Sequence, residues 1–344
     1  MKRRLLIVNS DAKESCYGGV APFMRNMHPY LAEAFDVEYL YPTKMKHGSW
    51  LPNRLSTFLF FLRHKDEMKR YDFVLSHIPE ASYILSFQNI PFGHIFHGND
   101  NPMSVSRFKG AMWVSGIYDR IYRRIDRKAT LRYTVGPAIH GRKKIFNPII
   151  KQAEPRDLDE RSGFVFAGRL EAMKRVDRLI AIYAQLPQEI RDGNDLYIAG
   201  SGTCEEELKE TARRLGVDGK VHFVGNIPNE KMQDFDSQRK VLLMASTREG
   251  MPTAIAEALT MGLPVVSTDV GDIKLVIKNG ENGYLLPVDF QDGEYIEAIC
   301  KVLNNYGPMA DAAQQSSAMF DARQVTQGVI DDINREINGY GRGT

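Results

Sequence analysis

Strand-like and helical segments alternate along the whole 344-residue chain, and this alternation limits the possible folds more than any single motif. Strands that alternate with helices normally pair in parallel, with helices covering both faces of the sheet. A chain of this length exceeds one comfortable hydrophobic core, so we expect two domains. The sequence therefore predicts an α/β protein with two Rossmann-like, doubly wound domains and a cleft between them.

The predicted elements fall into two similar halves that meet near residue 150. In the first half, strands are predicted at residues 4–10, 37–41, 72–76, 94–96 and 132–135, and helices at residues 20–34, 53–64 and 109–128. In the second half, strands are predicted at residues 163–167, 195–199, 221–224, 241–245, 264–267 and 283–286. Ligands of such sheets bind at the carboxyl ends of the strands, so the loops that follow strands are the candidate sites.

The net charge of +2 hides a strong asymmetry between the two halves. Residues 1–150 carry 23 basic and 12 acidic side chains, a balance of +11, whereas the remaining residues have a balance of −9. Residues 106–133 alone hold eight basic and two acidic side chains, with apolar residues interleaved at near-helical spacing. This pattern is typical of a helix on an anionic membrane surface, and equally of a core helix with a solvated basic face. No recognisable nucleic-acid-binding motif accompanies the charge, so we expect no nucleic-acid partner.

Several features of the sequence are those of a cytoplasmic protein. No apolar run approaches the roughly 18 residues that span a bilayer. The N-terminus becomes a strand at once, without the hydrophobic segment or cleavage site of a signal peptide. Cys16, Cys204 and Cys300 form neither a disulfide framework nor a metal-binding spacing. We therefore expect a cytoplasmic chain, which would be peripheral on the inner face of the cell membrane if the basic segment binds lipid.

The most informative motif is a pair of glutamates, Glu249 and Glu257, on either side of a predicted helix start at Pro252. Proline fits the first turn of a helix because its missing N–H would have no partner there. The free N–H groups and the positive end of the helix dipole can hold a pyrophosphate without a metal. Carboxylates on both sides could accept hydrogen bonds from sugar and ribose hydroxyls. Taken alone, the same spacing also fits a helix cap with two solvated glutamates.

Basic residues and glycine turns follow the neighbouring predicted strands. Arg169 and Lys174 come after the first strand of the second half, where arginine can bind phosphate through two parallel hydrogen bonds and lysine adds a point charge. The turns at residues 200–202 and 225–228 contain glycine, which lets a ligand approach the backbone closely. Each feature alone fits an ordinary helix start or turn. Their order over roughly 110 residues is more specific than any one of them.

The ordered motifs GRLxxxKR, IAGSG, VHFVGNIP, REGMPTAIAEAL and GLPVVSTDVGD resemble those of glycosyltransferase family 4, whose members are retaining enzymes of the GT-B fold. The resemblance covers nearly the whole chain and is strongest in the second half. It implies an acceptor-binding domain at residues 1–150 and a nucleotide-sugar donor-binding domain at residues 151–318. It also implies a C-terminal helical segment, residues 319–344, that returns toward the N-terminal domain.

The resemblance assigns roles to individual residues of the second half. Arg169 and Lys174 would hold the donor pyrophosphate, and Glu257 would bind the ribose. The loop after the strand at 241–245 would contact the transferred sugar through Glu249, Gly250, Met251, Pro252 and Thr253. A second loop resembles the family's contact to the edge of the base and contains Asn226, Ile227 and Pro228.

In the first half the resemblance covers two short motifs. Gly18 and Gly19 resemble a loop whose backbone can lie against the donor phosphates or the acceptor, although the same residues fit a plain helix N-terminus. His97 resembles a histidine that contacts the transferred sugar near the reaction centre. His77 is expected instead to pack or to form a local hydrogen bond. The candidate catalytic residues are therefore His97, Arg169, Lys174 and Glu249.

Two Asp-x-Asp triplets bear on whether a metal ion holds the diphosphate. The first, at residues 157–159, lies in the polar stretch between the halves, and the second, at residues 234–236, lies in a predicted helix. Neither closes a strand as such a metal site requires. We therefore expect no metal and no other cofactor. Arg169, Lys174 and the helix start would instead stabilise the charge that develops on the leaving diphosphate.

The sequence therefore predicts a retaining, metal-independent hexosyltransferase that uses a nucleoside diphosphate sugar, with UDP as the expected nucleotide. Its acceptor would be a glycan or a lipid-linked acceptor in the assembly of bacterial surface polysaccharide or lipopolysaccharide. Two alternatives stay open: a nucleotide-sugar epimerase or phosphorylase of the same fold, and a non-catalytic subunit that binds a nucleotide sugar. The presence of Arg169, Lys174, Glu249 and Glu257 favours an enzyme over the non-catalytic subunit.

Overall fold

The computed structural model describes residues 2–9, 20–42, 53–97, 111–136 and 139–340. By its internal packing the chain divides into two compact units. Unit 1 contains Met1–Pro148 and Ala322–Thr344, and unit 2 contains Ile149–Asp321. Each unit has its own six-stranded sheet of parallel strands with helices packed on it, so the predicted α/β class is confirmed.

The sheet of unit 1 consists of β1 (Arg3–Val8), β2 (Phe35–Leu40), β3 (Phe73–Ser76), β4 (Phe92–Phe96), β5 (Leu131–Thr134) and β6 (Lys143–Lys144). Its strand order is β2-β1-β3-β4-β5-β6, and every pair is parallel. The helices between these strands are α1 (Val20–Ala34), α2 (Asn53–Arg63), α3 (Lys65–Met68), α4 (Pro79–Leu85) and α5 (Ala111–Lys128). Because the strands are parallel, their carboxyl ends lie at one edge of the sheet.

Side chains of β1 alternate between the two faces of the unit 1 sheet, as expected for a strand that is covered on both sides. Leu5 and Ile7 pack in a core with residues of α1, whereas Leu6 and Val8 pack in a second core with Phe61 of α2. All four of these side chains are buried. This explains why β1 is a continuous apolar run in the sequence and not an alternation of polar and apolar residues.

The sheet of unit 2 consists of β7 (Phe164–Ala167), β8 (Leu196–Ala199), β9 (Val221–Gly225), β10 (Val241–Leu243), β11 (Val265–Thr268) and β12 (Gly283–Leu286). Its order is β12-β11-β10-β7-β8-β9, again with parallel pairs. The helices are α6 (Val176–Gln185), α7 (Gln188–Gly193), α8 (Glu205–Arg214), α9 (Asn229–Ser237), α10 (Thr253–Thr260), α11 (Asp292–Asn304) and α12 (Tyr306–Ser316). Short 3₁₀ helices lie at Leu158–Glu160, Ala172–Lys174, Ile273–Leu275 and Ser317–Phe320.

The last helix, α13 (Ala322–Tyr340), belongs to unit 1 although it follows unit 2 in the chain. It packs against α1, and Val329 and Ile333 lie in the same core as β1. Its buried Asp332 accepts hydrogen bonds from the Tyr133 hydroxyl at 2.9 Å and from the Lys143 ammonium at 2.6 Å. Apolar packing and these two bonds together attach α13 to β5 and β6.

The strands and helices predicted from the sequence are found with end points within two residues of the prediction. Residue 10, the predicted end of the first strand, lies outside the described part of the chain. The predicted helix at 109–128 begins at Ala111, and residues 109 and 110 lie outside the described part of the chain. The prediction omits α3, α4 and β6. Six of the seven residues of α4 are buried, so α4 has no polar face that would produce a helical pattern, and β6 is only two lysines long.

Within the described part of the chain, none of the helices combines the length and the apolar character needed to cross a membrane. The longest described helices, α5 and α13, each contain several charged residues.

Candidate functional site

A lysine and a glutamate meet where two neighbouring strands of unit 2 end. Lys174 ends the 3₁₀ helix that follows β7, and Glu249 lies in the loop after β10. The Lys174 Nζ donates to the Glu249 Oε1 at 2.5 Å, and the Ser246 hydroxyl donates to the same oxygen at 2.7 Å. The two charged side chains are only 14 % and 10 % exposed. The structure thus brings together two of the residues that the sequence analysis assigned to one site.

Both members of this pair keep hydrogen-bonding capacity. Among the described residues, the second carboxylate oxygen of Glu249, Oε2, has no hydrogen-bond partner. The Lys174 ammonium has three N–H donors, of which one bonds to Glu249. A ligand that carries hydroxyl groups next to an anionic group can therefore bond to both side chains while their ion pair stays intact.

The loop that carries Glu249 is held by backbone contacts. Gly271 has φ +59°, and a Cβ at this position would lie 2.4 Å from the carbonyl oxygens of both Glu249 and Gly250. The Asp272 N–H donates to the Gly250 carbonyl at 3.0 Å, and the Thr247 N–H donates to the Met173 carbonyl at 2.9 Å. Only glycine fits at position 271. Gly271 has no role that the sequence predicts, because its contact with the Glu249 loop exists only in the folded chain.

The two arginines near Lys174 have different environments. Arg169 is 73 % exposed and pairs with Glu171 at 2.6 Å, and no described contact joins it to Lys174 or Glu249. Arg175 has the left-handed φ of +48°, and its guanidinium donates to the carbonyls of Ala245 at 2.5 Å and Val288 at 2.8 Å. Burial lowers the pKa of Arg175. Arg175 therefore stabilises the chain just after β10 through hydrogen bonds, whereas the Arg169 side chain is accessible to a ligand.

The glycines at 200 and 202 serve the packing of two loops. A Cβ on Gly200 would lie 1.9 Å from the Gly168 carbonyl oxygen, and one on Gly202 would lie 2.3 Å from the Leu170 carbonyl oxygen. The Leu170 N–H also donates to the Ser201 carbonyl at 2.9 Å. The sequence predicts that a ligand could come close to the backbone at these glycines. In the structure the loop after β7 fills that space.

The predicted base-edge loop follows β9. The side chains of Asn226 and Ser201 are hydrogen bonded at 2.8 Å, and the Gly200 N–H donates to the Gly225 carbonyl at 2.8 Å. Ile227 is half-buried, and Pro228 is exposed and immediately precedes α9. This loop is therefore tied to the loop after β8, while its contact with a base stays a prediction.

The helix predicted after Glu249 is present as α10. Pro252 is its extended N-cap and not a residue of its first turn, and Thr253 is exposed beside it. Met251 is buried and Gly250 is exposed. Helix α10 begins four residues after Glu249, so its first backbone N–H groups directly follow the Glu249 loop in the chain, as predicted.

Glu257 of α10 lies near a second acid that the sequence analysis dismissed. Burial raises the pKa of Glu257 to about 7. Asp236 of α9 is buried, its Oδ1 has no hydrogen-bond partner among the described residues, and its pKa is raised well above its usual range by burial and then by Glu257. The positive charge of Arg239 lowers the pKa of Asp236 and so partly opposes this rise. The Arg239 guanidinium also lies over the Tyr197 ring, 3.7 Å from its centroid. These two carboxyls are therefore hard to ionise together.

The Asp-x-Asp triplet at residues 234–236 lies in helix α9, as predicted. Its first aspartate is largely exposed and its second is buried. Across the described ranges, no group of three or more His, Cys, Asp or Glu side chains is arranged to hold a metal ion.

Glu257 gives a prediction for the pH dependence of stability. Because the pKa of Glu257 is raised from about 4.5 to about 7 on folding, the folded state binds more protons between these values. The free energy of unfolding therefore falls as the pH rises through this range, by up to about 1.4 kcal/mol per pH unit for one proton. We expect Glu257→Gln to flatten this slope in urea denaturation between pH 4.5 and 8. Glu230→Gln, at an exposed site on α9, should leave the slope unchanged, and an unchanged slope in Glu257→Gln would contradict the prediction.

In unit 1, the candidate residue His97 follows β4 and contacts His77, which follows β3. The His77 Nδ1 lies 2.7 Å from the His97 Nε2, and the two rings are stacked with their centroids 5.0 Å apart. The buried Phe23 ring contacts both histidines edge-on. The partner of His77 is thus a predicted site residue at the end of the neighbouring strand, and not a group close to His77 in the chain. Gly18 and Gly19 lie outside the described residues.

Comparisons with known proteins find a family match within unit 2. Residues 149–319 match the family Glycosyl transferases group 1. The D-inositol 3-phosphate glycosyltransferase 2 of Catenulispora acidiphila is 25 % identical over 261 residues, which cover 69 % of this chain and 61 % of that relative. The chain thus spans less than two thirds of the length of this relative.

Solved structures resemble the chain over nearly its whole length. The lipopolysaccharide outer core galactosyltransferase WaaB matches with a TM-score of 0.69 and 18 % identity over 98 % of this chain and 100 % of that one. The Anabaena protein HepE, in complex with UDP, matches with a TM-score of 0.72 and 17 % identity over 97 % and 100 %. At such identities the likeness establishes the fold. Residues 149–319 are therefore similar to the group 1 glycosyl transferases, and the chain has the GT-B fold.

Proposed function

We propose that the protein is a retaining glycosyltransferase that moves a hexose-type sugar from a nucleoside diphosphate sugar to a glycan or lipid-linked acceptor. UDP is the proposed nucleotide. The observation that carries the proposal is the Lys174–Glu249 pair, which lies at the carboxyl ends of β7 and β10 in the part of the chain that is similar to the group 1 glycosyl transferases. Ligands of parallel sheets bind at this end of the strands.

Lys174 and Glu249 bind different parts of the donor. The remaining N–H donors of Lys174 bind the diphosphate, and the exposed Arg169 side chain closes on it from the solvent side. The free Oε2 of Glu249 accepts hydrogen bonds from the sugar hydroxyls, and Glu257 of α10 does the same for the ribose. The N-terminus of α10, which has eight residues, adds backbone donors for the phosphate oxygens.

In the proposed reaction, the bond between the anomeric carbon and the phosphate oxygen breaks while the acceptor oxygen attacks from the same face. The acceptor proton passes to the departing phosphate. Lys174 and Arg169 supply positive charge where negative charge develops on the leaving diphosphate, so the reaction would proceed without a metal. In unit 1, His97 is the residue that we propose contacts the transferred sugar.

The setting that we propose is the assembly of a bacterial surface polysaccharide or lipopolysaccharide. It is supported by the resemblance to WaaB, described as a lipopolysaccharide outer core galactosyltransferase. The choice of UDP as the nucleotide is supported by the resemblance to HepE, which is described in complex with UDP.

A transfer assay with a panel of nucleoside diphosphate sugars tests the proposal. The full chain is incubated with each donor and with simple glycoside or lipid-linked acceptors, with and without a chelator. We expect consumption of a UDP-sugar, insensitivity to the chelator, and a product whose anomeric configuration matches that of the donor by proton NMR. Conversion of the donor to another sugar nucleotide without an acceptor would identify an epimerase. Cleavage that requires phosphate would identify a phosphorylase, and binding without turnover would identify a non-catalytic subunit.

Unit 1 also carries a surface that we propose contacts an anionic membrane on its cytoplasmic face. Helix α5 presents basic side chains around a depression of about 420 Å³, lined by Tyr83, Arg120, Arg123, Arg124, Arg127 and Lys128. Exposed apolar side chains accompany them on unit 1, namely Leu55, Leu59, Leu62, Phe87 and Ile117. On α2 the three leucines share one helical face. Basic and apolar side chains together are what a peripheral membrane surface requires.

Liposome flotation tests the membrane surface. We expect the full chain to float with vesicles that contain phosphatidylglycerol and to be released by salt. The triple substitution Arg120→Gln, Arg123→Gln and Arg127→Gln should weaken binding about a hundredfold, since each basic residue near an anionic surface contributes about 1 kcal/mol. The matched control replaces Lys209, Arg213 and Arg214 of α8 in unit 2 by glutamine. Equal binding of wild type and triple variant, or indifference to the anionic lipid, would reject the surface.

A further inference from the structure

The His77–His97 pair lies at the carboxyl ends of two adjacent strands of unit 1. His77 is the first residue after β3, and its backbone N–H donates to the Val8 carbonyl at 2.9 Å. His97 is the first residue after β4, and β3 and β4 are hydrogen-bonded neighbours in the sheet. The position of each ring is therefore fixed by the sheet, and the 2.7 Å distance between Nδ1 of His77 and Nε2 of His97 is a hydrogen bond.

The pair is neutral at physiological pH. Burial lowers the pKa of His97 to about 4 and the pKa of His77 well below its usual range. A neutral imidazole carries one proton, so one of its nitrogens donates and the other accepts. The hydrogen bond can therefore form in two ways, with the proton on Nδ1 of His77 or on Nε2 of His97.

The surroundings of His77 distinguish the two arrangements. The other ring nitrogen of His77, Nε2, is buried and has no hydrogen-bond partner among the described residues. If His97 donated, neutral His77 would carry its proton on this nitrogen, as a buried N–H without a partner. If His77 donates from Nδ1, the Nε2 is only an unpaired acceptor. Buried donors without a partner are rarer in folded proteins than buried acceptors without one, which favours His77 as the donor.

We infer that His77 is a positioning residue that donates its Nδ1–H to Nε2 of His97 and thereby keeps the proton of His97 on Nδ1. This Nδ1–H is the donor that we assign to a ligand, and no hydrogen bond joins the Nδ1 of His97 to another described residue. The inference rests on the proposed function for the role of His97: it makes His97 a hydrogen-bond donor toward an oxygen of the transferred sugar. A wrong tautomer would present an acceptor to that oxygen instead.

The tautomer can be measured without any assay of activity. The full chain is labelled with ¹⁵N-histidine, and the ring nitrogens are assigned in long-range ¹H–¹⁵N spectra with the help of the His77 variants. We expect His97 to show a protonated Nδ1 and a bare Nε2 at pH 7.5, and His77 to show a protonated Nδ1. A protonated Nε2 on His97 in the wild type would overturn the inference, whether or not the protein transfers a sugar.

Two substitutions test the consequence for catalysis. In His77→Asn the amide can donate from nearly the same place as Nδ1, so we expect kcat to stay within about threefold of the wild type. In His77→Leu the donor is lost, and we expect kcat to fall about tenfold to a hundredfold with a smaller change in the donor KM. Equal losses in both variants, or a kcat unchanged in His77→Leu, would contradict the positioning role.

A control separates this effect from a general disturbance of unit 1. Buried His94 of β4 lies 2.7 Å from the Ser82 hydroxyl through its Nδ1. Ser82→Ala removes a hydrogen bond from a neighbouring buried histidine and should leave the His97 tautomer and kcat unchanged. If no donor is turned over by the wild type, the proposed function fails, while the NMR measurement still decides the tautomer.

Discussion

Lys174→Ala is expected to lower kcat/KM for the nucleotide sugar by about a hundredfold to a thousandfold, the usual loss when one group that stabilises transition-state charge is removed. The substitution deletes the ammonium that meets the leaving diphosphate. It also leaves Glu249, which is only 10 % exposed, without its ionic partner. The ammonium acts where charge develops on the leaving diphosphate, so kcat should fall more than the donor affinity. Initial rates over a range of donor concentrations measure the two separately.

A matched control keeps this result interpretable. Lys209 lies on α8 of the same unit and pairs with Glu205 and Glu206. Lys209→Ala removes the same side chain from a surface helix and should leave kcat/KM unchanged. A thermal melt of both variants shows whether the Lys174 variant is folded. If folded Lys174→Ala retained more than about a third of the wild-type kcat/KM, Lys174 would have no place in the mechanism.

Gly200→Ala is expected to destabilise unit 2 by about 3 kcal/mol or more, since backbone strain and overpacking each cost about 1–3 kcal/mol. Gly200 has φ +132°, and an added Cβ would lie 1.9 Å from the Gly168 carbonyl oxygen. The loop after β7 would have to move, and Arg169 would move with it. Activity should therefore fall together with stability.

Urea denaturation followed by circular dichroism measures the loss. Both tryptophans, Trp50 and Trp113, are in unit 1, so tryptophan fluorescence would report on unit 1 and not on the substitution. Gly219→Ala is the control, because a Cβ at position 219 meets nothing within 4 Å and the glycine has no positive φ. Similar unfolding midpoints for the two variants would show that the loops accommodate the methyl group, against the account given above.

The order and type of most elements follow from local patterns in the sequence. Continuous apolar runs such as β1 and β7 indicate strands that are buried on both faces, and the helices between them force the parallel arrangement. The pattern fails where an element has no contrast between its faces. Helix α4 is nearly all buried and β6 is only two lysines, so neither has a recognisable period.

Those residues of the candidate site that belong to recognisable motifs could be predicted from the sequence. The resemblance gave Lys174 and Glu249, and the structure places them in contact. The roles of Gly271 and Arg175 depend on backbone dihedral angles and on contacts with distant parts of the chain, which no local pattern encodes. A signal existed for Gly271, since it lies in one of the ordered motifs directly after a strand.

Side-chain contacts between residues on neighbouring strands or helices were the hardest to predict from the sequence. His77 and His97 are 20 residues apart, and their contact requires that β3 and β4 be adjacent in the sheet. Asp236 belongs to an Asp-x-Asp triplet for which the sequence predicts no metal, whereas its environment in the fold depends on burial and on Glu257 of the next helix. The order of strands in a sheet is set by packing of the whole unit, so such contacts follow from the fold and not from spacing in the sequence.

We propose that Lys174, Arg169 and the start of α10 hold the diphosphate of a nucleotide sugar. A crystal structure of the full chain with UDP and a non-hydrolysable UDP-sugar tests it most directly. We expect the Lys174 Nζ and the Arg169 guanidinium to lie within hydrogen-bonding distance of the diphosphate oxygens, and the Glu249 carboxylate to accept a hydrogen bond from a sugar hydroxyl. A bound nucleotide whose phosphates contact neither cation would contradict it.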